Sequence, residues 1–410
     1  MTENNLDAEK LVCAAEEDCR ETFKKLEEVE EYNTQKVLNA FIAHRVSERH
    51  FAPTTGYGYD DVGRDTLSEI FAEVLGCESA LMRPQIASGT HALALCLYGM
   101  LRPGDTLLSA AGKPYDTLEE VIGLNGAKGH GSLAEYGIGY RQTELKDGKP
   151  DIDAILKGLD PSVRLVLIQR SRGYDWRPSL SVDEINAVID AVHATKPDAY
   201  VMVDNCYGEF TDKAEPRADI MAGSLIKNAG GSLAPTGAYI AGKKECVEKV
   251  AYRLTSPGIG AEVGSYAAGY REFYQGLFMA PHIVCQALKT GCLFARTLEL
   301  RGYTVHPTYK DKRNDIIQAV KFGTPEKLIA FIQAIQAYSP VDAEAIPEPW
   351  DMPGYQDPVI MAAGTFVSGA SIELSADAPI RPPYIAYMQG GIVYAHSKIV
   401  LKEMLKRGVC

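Results

Sequence analysis

Several residues of this chain could do chemistry together if the fold brought them to one place. Lys227 stands in "ADIMAGSLIKNAGGS", between a buried-looking apolar run and a pair of glycines. Lysine is the side chain least willing to be buried without a partner, so its amine is either left in water on a loop or used covalently. Asp204 closes the apolar run "AYVMVD". At the carboxyl edge of an open parallel sheet such a residue meets ligands, because strand ends and helix starts converge there; alone, it could equally cap a turn. Ser88, Gly89 and Thr90 in "ASGTHALAL" open a helix. The first amides of a helix lack internal partners and carry partial positive charge, so with a glycine permitting close approach they form a phosphate cradle, the plainer reading being a cap by Ser88. Tyr115, in "AAGKPYDTLEE", lies 26 residues beyond Gly89 and offers a ring that could cover a flat ligand or simply pack. His91, early in the same helix, reads as a core or capping residue.

Together these parts describe one cofactor. A phosphate cup, a stacking ring, a carboxylate and, 23 residues after it, a lysine match the anchor, cover, ring-nitrogen partner and Schiff-base amine that pyridoxal 5'-phosphate needs. Lys243 and Lys244 in "IAGKKECVEKV" open a charged helix and read as solvated. The nearest glycine fingerprint, "GIGAEVG", has its third glycine one place late and follows no strand, and no Walker loop occurs, so nicotinamide and nucleotide readings lack support.

The elements that must position these residues are legible in the hydrophobic pattern. From about residue 65 short apolar runs alternate with amphipathic segments, the mark of an α/β fold. "VRLVLIQ" and "AYVMVDN" read as strands covered on both faces of a parallel sheet. Between them "SVDEINAVIDAVHAT" reads as a helix with a Ser181–Glu184 capping box and a buried stripe of Ile185, Val188, Ile189 and Val192, giving a right-handed crossover. "TLSEIFAEVLG", stopped by Gly76, and "THALALCLYGML" read as helices, as do residues 6 to 45, with Ala15, Phe23, Val37 and Ile42 on an apolar face. Beyond Gly264 a long helical region leads to a mixed C-terminal part: a helix at "TPEKLIAFIQAIQAY", a proline-rich loop, strands at "GASIELSA" and "PYIAYMQGG", and a final helix.

Composition narrows the function classes. A chain of 410 residues, 46% hydrophobic and 23% charged, has room for two or three domains. The net charge of -12 is spread over both signs, which argues against a nucleic-acid partner. The acidic N-terminus lacks a signal-peptide core, and "PHIVCQALKTGCLFA" is cut by Lys289, short of the ~18 apolar residues a membrane span needs. Nine scattered cysteines without Cys-x-x-Cys or His-Glu-x-x-His spacing point to a reduced, cytoplasmic chain with no metal site.

The motifs "GYGYDDVGRDTLSEIFAEVLG", "ASGTHAL", "GKPYDTL", "VMVDNCYGEF", "ADIMAGSLIKNAGG" and "GASIELSADAPIRPPY" resemble the fold type I pyridoxal-phosphate enzymes of the cystathionine and methionine gamma-lyase group. The branch they resemble is the one described as methionine gamma-lyase-like or aluminium-resistance proteins. The resemblance runs from about residue 50 to the C-terminus. It implies a mainly parallel seven-stranded sheet sandwiched by helices, with a helical N-terminal arm (1–50), a large cofactor-binding domain (51–290) and a smaller α+β C-terminal domain (291–410). It implies that Lys227 holds the cofactor, Asp204 pairs with its ring nitrogen, Tyr115 stacks on it, and Ser88, Gly89, Thr90 and Ser224 bind its phosphate. It also implies a homodimer or homotetramer in which "GYGYDDVGR", carrying Tyr57, Tyr59 and Arg64, reaches the neighbour's site for phosphate binding and leaving-group expulsion. Arg381 matches the position that holds the substrate carboxylate, with a guanidinium fork suited to it, while Arg170 and Arg172 are candidates to approach the cofactor's phenolic oxygen. Two departures stand out. Ile226 replaces the hydroxyl residue usual before the lysine, and the tyrosines lie seven and five residues before Arg64 instead of two.

The activity implied is a carbon-sulfur lyase acting on a small sulfur-containing amino acid, with Lys227, its pKa lowered by the cationic cofactor, removing the alpha proton. Two rivals are a fold-related aminotransferase or replacement-type synthase, which product analysis separates, and a cofactor-binding regulator with little catalysis, which spectral response to amino acids separates.

Overall fold

The structure, a computed structural model, describes residues 3–126, 128–352, 355 and 357–410, with side chains from Asp7 onward. Two helices come first, α1 (Glu3–Asp18) and α2 (Arg20–Ala43). Of their expected apolar face, Ala15, Phe23 and Val37 are buried, whereas Ile42 is 66% exposed. α3 (Val62–Leu75) starts where the Asp61 side chain accepts from the Arg64 N–H at 3.0 Å and stops at Gly76, whose φ of 70° only glycine adopts freely.

A regular alternation follows. β1 (Ser79–Arg83), α4 (Gly89–Met100), β2 (Thr106–Ser109), α5 (Asp116–Ile122) and β3 (Gly139–Gln142) lead to a small hairpin of β4 (Leu145–Lys146) and β5 (Lys149–Pro150). Then come α6 (Ile152–Gly158), β6 (Val163–Gln169), α7 (Val182–Thr195), β7 (Tyr200–Asp204), β8 (Ile220–Ser224), β9 (Ala238–Gly242) and α8 (Lys244–Leu254). The α7 capping box is present, with Glu184 N–H donating to Ser181 Oγ at 3.2 Å and Ser181 N–H to Glu184 Oε2 at 2.9 Å, and its four expected stripe residues are buried.

Seven of these strands make one sheet in the order β1-β9-β8-β7-β6-β2-β3, parallel except for β9, which runs against both its neighbours. Val166, Ile168, Val201 and Val203 face a core shared with α3 and α7, while Leu165, Leu167 and Met202 face a second core with α4 and α8. Burial on both faces is what demanded continuous apolar strands here.

α9 (Arg271–Leu300) then carries the chain into a second region: β10 (Thr304–His306), β11 (Ile317–Lys321), α10 (Pro325–Ala337), β12 (Val359–Ala362), β13 (Ser375–Pro379), β14 (Ile385–Gln389) and α11 (Tyr394–Lys406). These five strands form an antiparallel sheet in the order β10-β11-β14-β13-β12. Its Ala376, Ala378, Ala386 and Met388 pack on the helices. The alternate positions Ile317, Ala319, Ile385 and Tyr387 turn to Tyr174, Trp176 and Tyr207 of the large sheet's region.

Two expectations need correcting. "GASIELSA" is loop until its last two residues, the strand being Ser375–Pro379, because Gly369 at φ 79° and a turn at Glu373 interrupt the pattern. The apolar stretch around Lys289 belongs to a 30-residue helix long and apolar enough, by composition, to cross a membrane; its apolar window is 72% buried within the fold, so this is a core helix.

Candidate active site

Lys227 is held by a short route. β8 ends at Ser224, the chain turns through Leu225 and Ile226, and a single helical turn, Asn228–Gly230, follows. That turn is pinned by Asn228, whose Nδ2 donates to the Glu209 carbonyl at 3.0 Å, and by close packing of Gly230 and Gly231 on Gly276 of α9. A Cβ on Gly231 would stand 2.2 Å from the Gly276 carbonyl oxygen, which explains the two glycines after the lysine.

The carboxyl edge of the sheet supplies the rest. Gln169, Asp204 and Ser224 sit at the ends of the parallel strands β6, β7 and β8, and all three line one cavity of about 280 Å³ with Lys227. Ser88, Gly89 and Thr90 bring the N-terminus of α4 to the same cavity, and Tyr115 forms part of its wall. Ser88 Oγ accepts from the His91 N–H at 3.1 Å, and His91 Nδ1 accepts from the Ala87 N–H at 3.0 Å, so His91 caps the turn and burial lowers its pKa. Thr90 Oγ1 lies 2.8 Å from Thr117 Oγ1.

Electrostatics tie Asp204 to Lys227. Burial raises the Asp204 pKa, against the opposing pull of Lys227 and of the Cys206 N–H, which donates to Oδ1 at 3.1 Å. At Lys227 burial works to lower the amine's pKa, but Tyr207, Cys206 and Asp204 together hold it above the ordinary lysine value. The expected lowering therefore does not come from this chain's own groups.

The structure adds residues that sequence did not single out. The ring of Tyr207 carries the Lys227 amine over its face, on a backbone at φ 71° that costs a non-glycine residue about 1 kcal/mol. Tyr174, Ser371, Ser375, Asp377 and Gln389 complete the wall, four of them from beyond residue 300. The period-2 run "SADAP", alanines inward to the helices and polar residues outward, was the available signal for Ser375 and Asp377.

Other expected residues are elsewhere. Tyr57 and Tyr59 are 70% and 62% exposed, their rings 5.5 Å apart, and neither lines this cavity. Arg64 is buried, with Nη1 donating to the Gly58 carbonyl at 2.8 Å and Nε to Asp65 Oδ1 at 2.8 Å, so its guanidinium is committed to the loop that displays those tyrosines. Arg381 is half-exposed, pairs with Asp357 at 2.9 Å, and borders a neighbouring cleft, because the loop after β13 carries it past the rim. Arg170 donates to Asn205, Glu215 and Thr211, and Arg172 to His306, leaving neither free to reach the cavity. Among the described lining residues Lys227 is the sole cation.

A Bacillus subtilis protein named YnbB, of uncharacterised function, is 53% identical over 95% of this chain and 93% of its own length. The crystal structure of a carbon-sulfur lyase involved in aluminium resistance from Clostridium novyi superposes with a TM-score of 0.95 at 50% identity, covering 99% of each chain. L-methionine gamma-lyase of Treponema denticola is 23% identical over 56% of this chain and 54% of its own. The profile of the methionine gamma-lyase family matches residues 8–409, so the chain belongs to that family.

Proposed function

We propose that this protein is a carbon-sulfur lyase that releases thiol, ammonia and a 2-keto acid from a sulfur-containing amino acid, in the manner of a methionine gamma-lyase or cystathionine beta-lyase. The observation that carries the reading is Lys227, an amine in a walled cavity beside Asp204 and facing the open end of α4.

Family membership implies pyridoxal 5'-phosphate as the cofactor, and the residues present fit it. A Cβ on Gly89 would stand 3.3 Å from Cys206 Sγ and 3.5 Å from Ser224 Cβ, so glycine is what leaves the α4 amides and Ser224 open to an anion. Lys227 would carry the aldehyde, Asp204 would face the ring nitrogen, and Tyr115 would cover the ring. Bound there, the cofactor supplies an electrophilic carbon and an electron-accepting ring. The chain's own part is then specific. Asp204 would hold a proton at the ring nitrogen, Lys227 Nζ would take the alpha proton, and the Tyr207 hydroxyl, donating to Ser371 Oγ at 3.0 Å, fixes the tyrosine ring beneath that amine.

The same reading takes the protein as a cytoplasmic homodimer or homotetramer in which Tyr57 and Tyr59 enter the neighbour's cavity. Their exposure on a loop anchored by Arg64, and nine cysteines that are all free, support this. Borohydride reduction of the purified protein followed by peptide mass mapping should place the cofactor on Lys227. Incubation with methionine, cystathionine or cysteine should yield keto acid and thiol or sulfide; no product from any of the three overturns the proposal.

A further inference from the structure

The cavity holds one more charge than the cofactor uses. Asp204 answers the ring nitrogen and Lys227 the aldehyde, which leaves Asp377 unassigned on the wall contributed by the small sheet. Strand alternation sets its direction: Ala376 and Ala378 pack into the helical core, so Ser375 and Asp377 face the cavity. One carboxylate oxygen, Oδ2, accepts from Gln389 Nε2 at 2.8 Å. The Tyr174 hydroxyl stands close enough to hold the carboxyl's pKa down, and on the same strand face the buried Ser375 Oγ has no partner among the described residues. Asp377 is half-buried on the cavity wall, held by the Gln389 amide and the Tyr174 hydroxyl, which leaves its charge open to a cationic partner, and the unpartnered Ser375 Oγ on the same strand face fits a polar ligand group. The substrate's alpha-amine is consumed at the cofactor, so that amine cannot be the match.

We propose that Asp377 is a specificity residue that receives an ammonium group at the far end of the substrate's sulfur-bearing side chain, with Tyr174 and Ser375 beside it. The inference rests on the lyase reading for the identity of the substrate, not for the charge preference. Burial raises the Asp377 pKa against the pull of Gln389, Tyr174 and Lys227, leaving it at about 6, so at neutral pH it is mainly ionised.

The test uses the cofactor-loaded enzyme and two thioethers of equal size, S-(2-aminoethyl)-L-cysteine and S-propyl-L-cysteine. The cationic compound should have the higher kcat/KM by on the order of ten- to a hundredfold, as expected of one charge-assisted contact. In Asp377→Asn that ratio should fall to within about threefold. Calorimetric binding of L-ornithine and L-norleucine, which carry no sulfur leaving group, should show the same preference and the same loss. Equal handling of both members of each pair by the wild-type protein overturns the proposal and leaves the lyase reading standing. Thiol from neither thioether, with ornithine still preferred, overturns the beta-eliminating form of the lyase reading and leaves the proposal. If Asp377→Asn lost both members of each pair equally, Asp377 would be a structural partner of Gln389 and the proposal would fall.

Discussion

The Lys227 amine sits 4.1 Å from the centroid of the Tyr207 ring, and the hydroxyl of that ring is anchored on Ser371 of the C-terminal region. The reactive amine is thus supported by a side chain that is itself fixed across the boundary between the two sheets. Lys227→Ala should lower lyase turnover at least about a thousandfold and abolish borohydride fixation of the cofactor, with circular dichroism unchanged. Residual turnover within tenfold of wild type would show that another group does the work.

Gly89→Ala tests the anion cradle. The added methyl would crowd Cys206 Sγ and Ser224, narrowing access to the α4 amides. The dissociation constant for pyridoxal phosphate, measured by titrating stripped protein, should rise about tenfold, the cost of one weakened charge-assisted hydrogen bond. An unchanged constant would place the phosphate elsewhere.

Tyr57 and Tyr59 give a test that does not depend on substrate identity. If each completes a neighbour's cavity, the double variant Tyr57→Ala/Tyr59→Ala and the variant Lys227→Ala should both be inactive alone. Subunit exchange between them should restore part of the activity, because mixed assemblies contain one intact site. No recovery after demonstrated exchange would mean that these tyrosines act within their own subunit or not at all.

Glu209 predicts a pH effect on stability. Fully buried, with Oε1 accepting from the Tyr239 hydroxyl at 2.7 Å and Oε2 unpartnered, its carboxyl is pushed up to about 8 by burial, from 4.5 unfolded. A raised acid pKa means the folded state binds the proton more tightly, so this residue's contribution declines as pH rises from about 4.5 to 8 and then levels off. Glu209→Gln should remove that decline. Urea midpoints of the two proteins should therefore diverge in favour of the variant between pH 5 and pH 8, with little further change at pH 9; parallel midpoints throughout would refute the assignment.

What could be read in sequence follows from how far each signal is encoded along the chain. Asp204, Ser224, Lys227 and the Ser88–Thr90 helix start each depend on a strand end or helix start a few residues away, and local patterning is enough to find those. Arg381 stands beside a neighbouring cleft because its position depends on the path of a loop between β13 and β14, which no periodicity fixes. Asp377 depends on strand register and on the approach of a second sheet. Tyr207 depends on a left-handed backbone that its residue type does not announce.

The helix α9 enters two separate apolar clusters, Phe273 to Leu288 in one and Cys292 to Leu298 in the other. Neither half of the molecule can melt without fraying the rod that the other half needs. Calorimetry should accordingly record one cooperative endotherm for the chain, in place of the two staggered peaks of independently folding lobes.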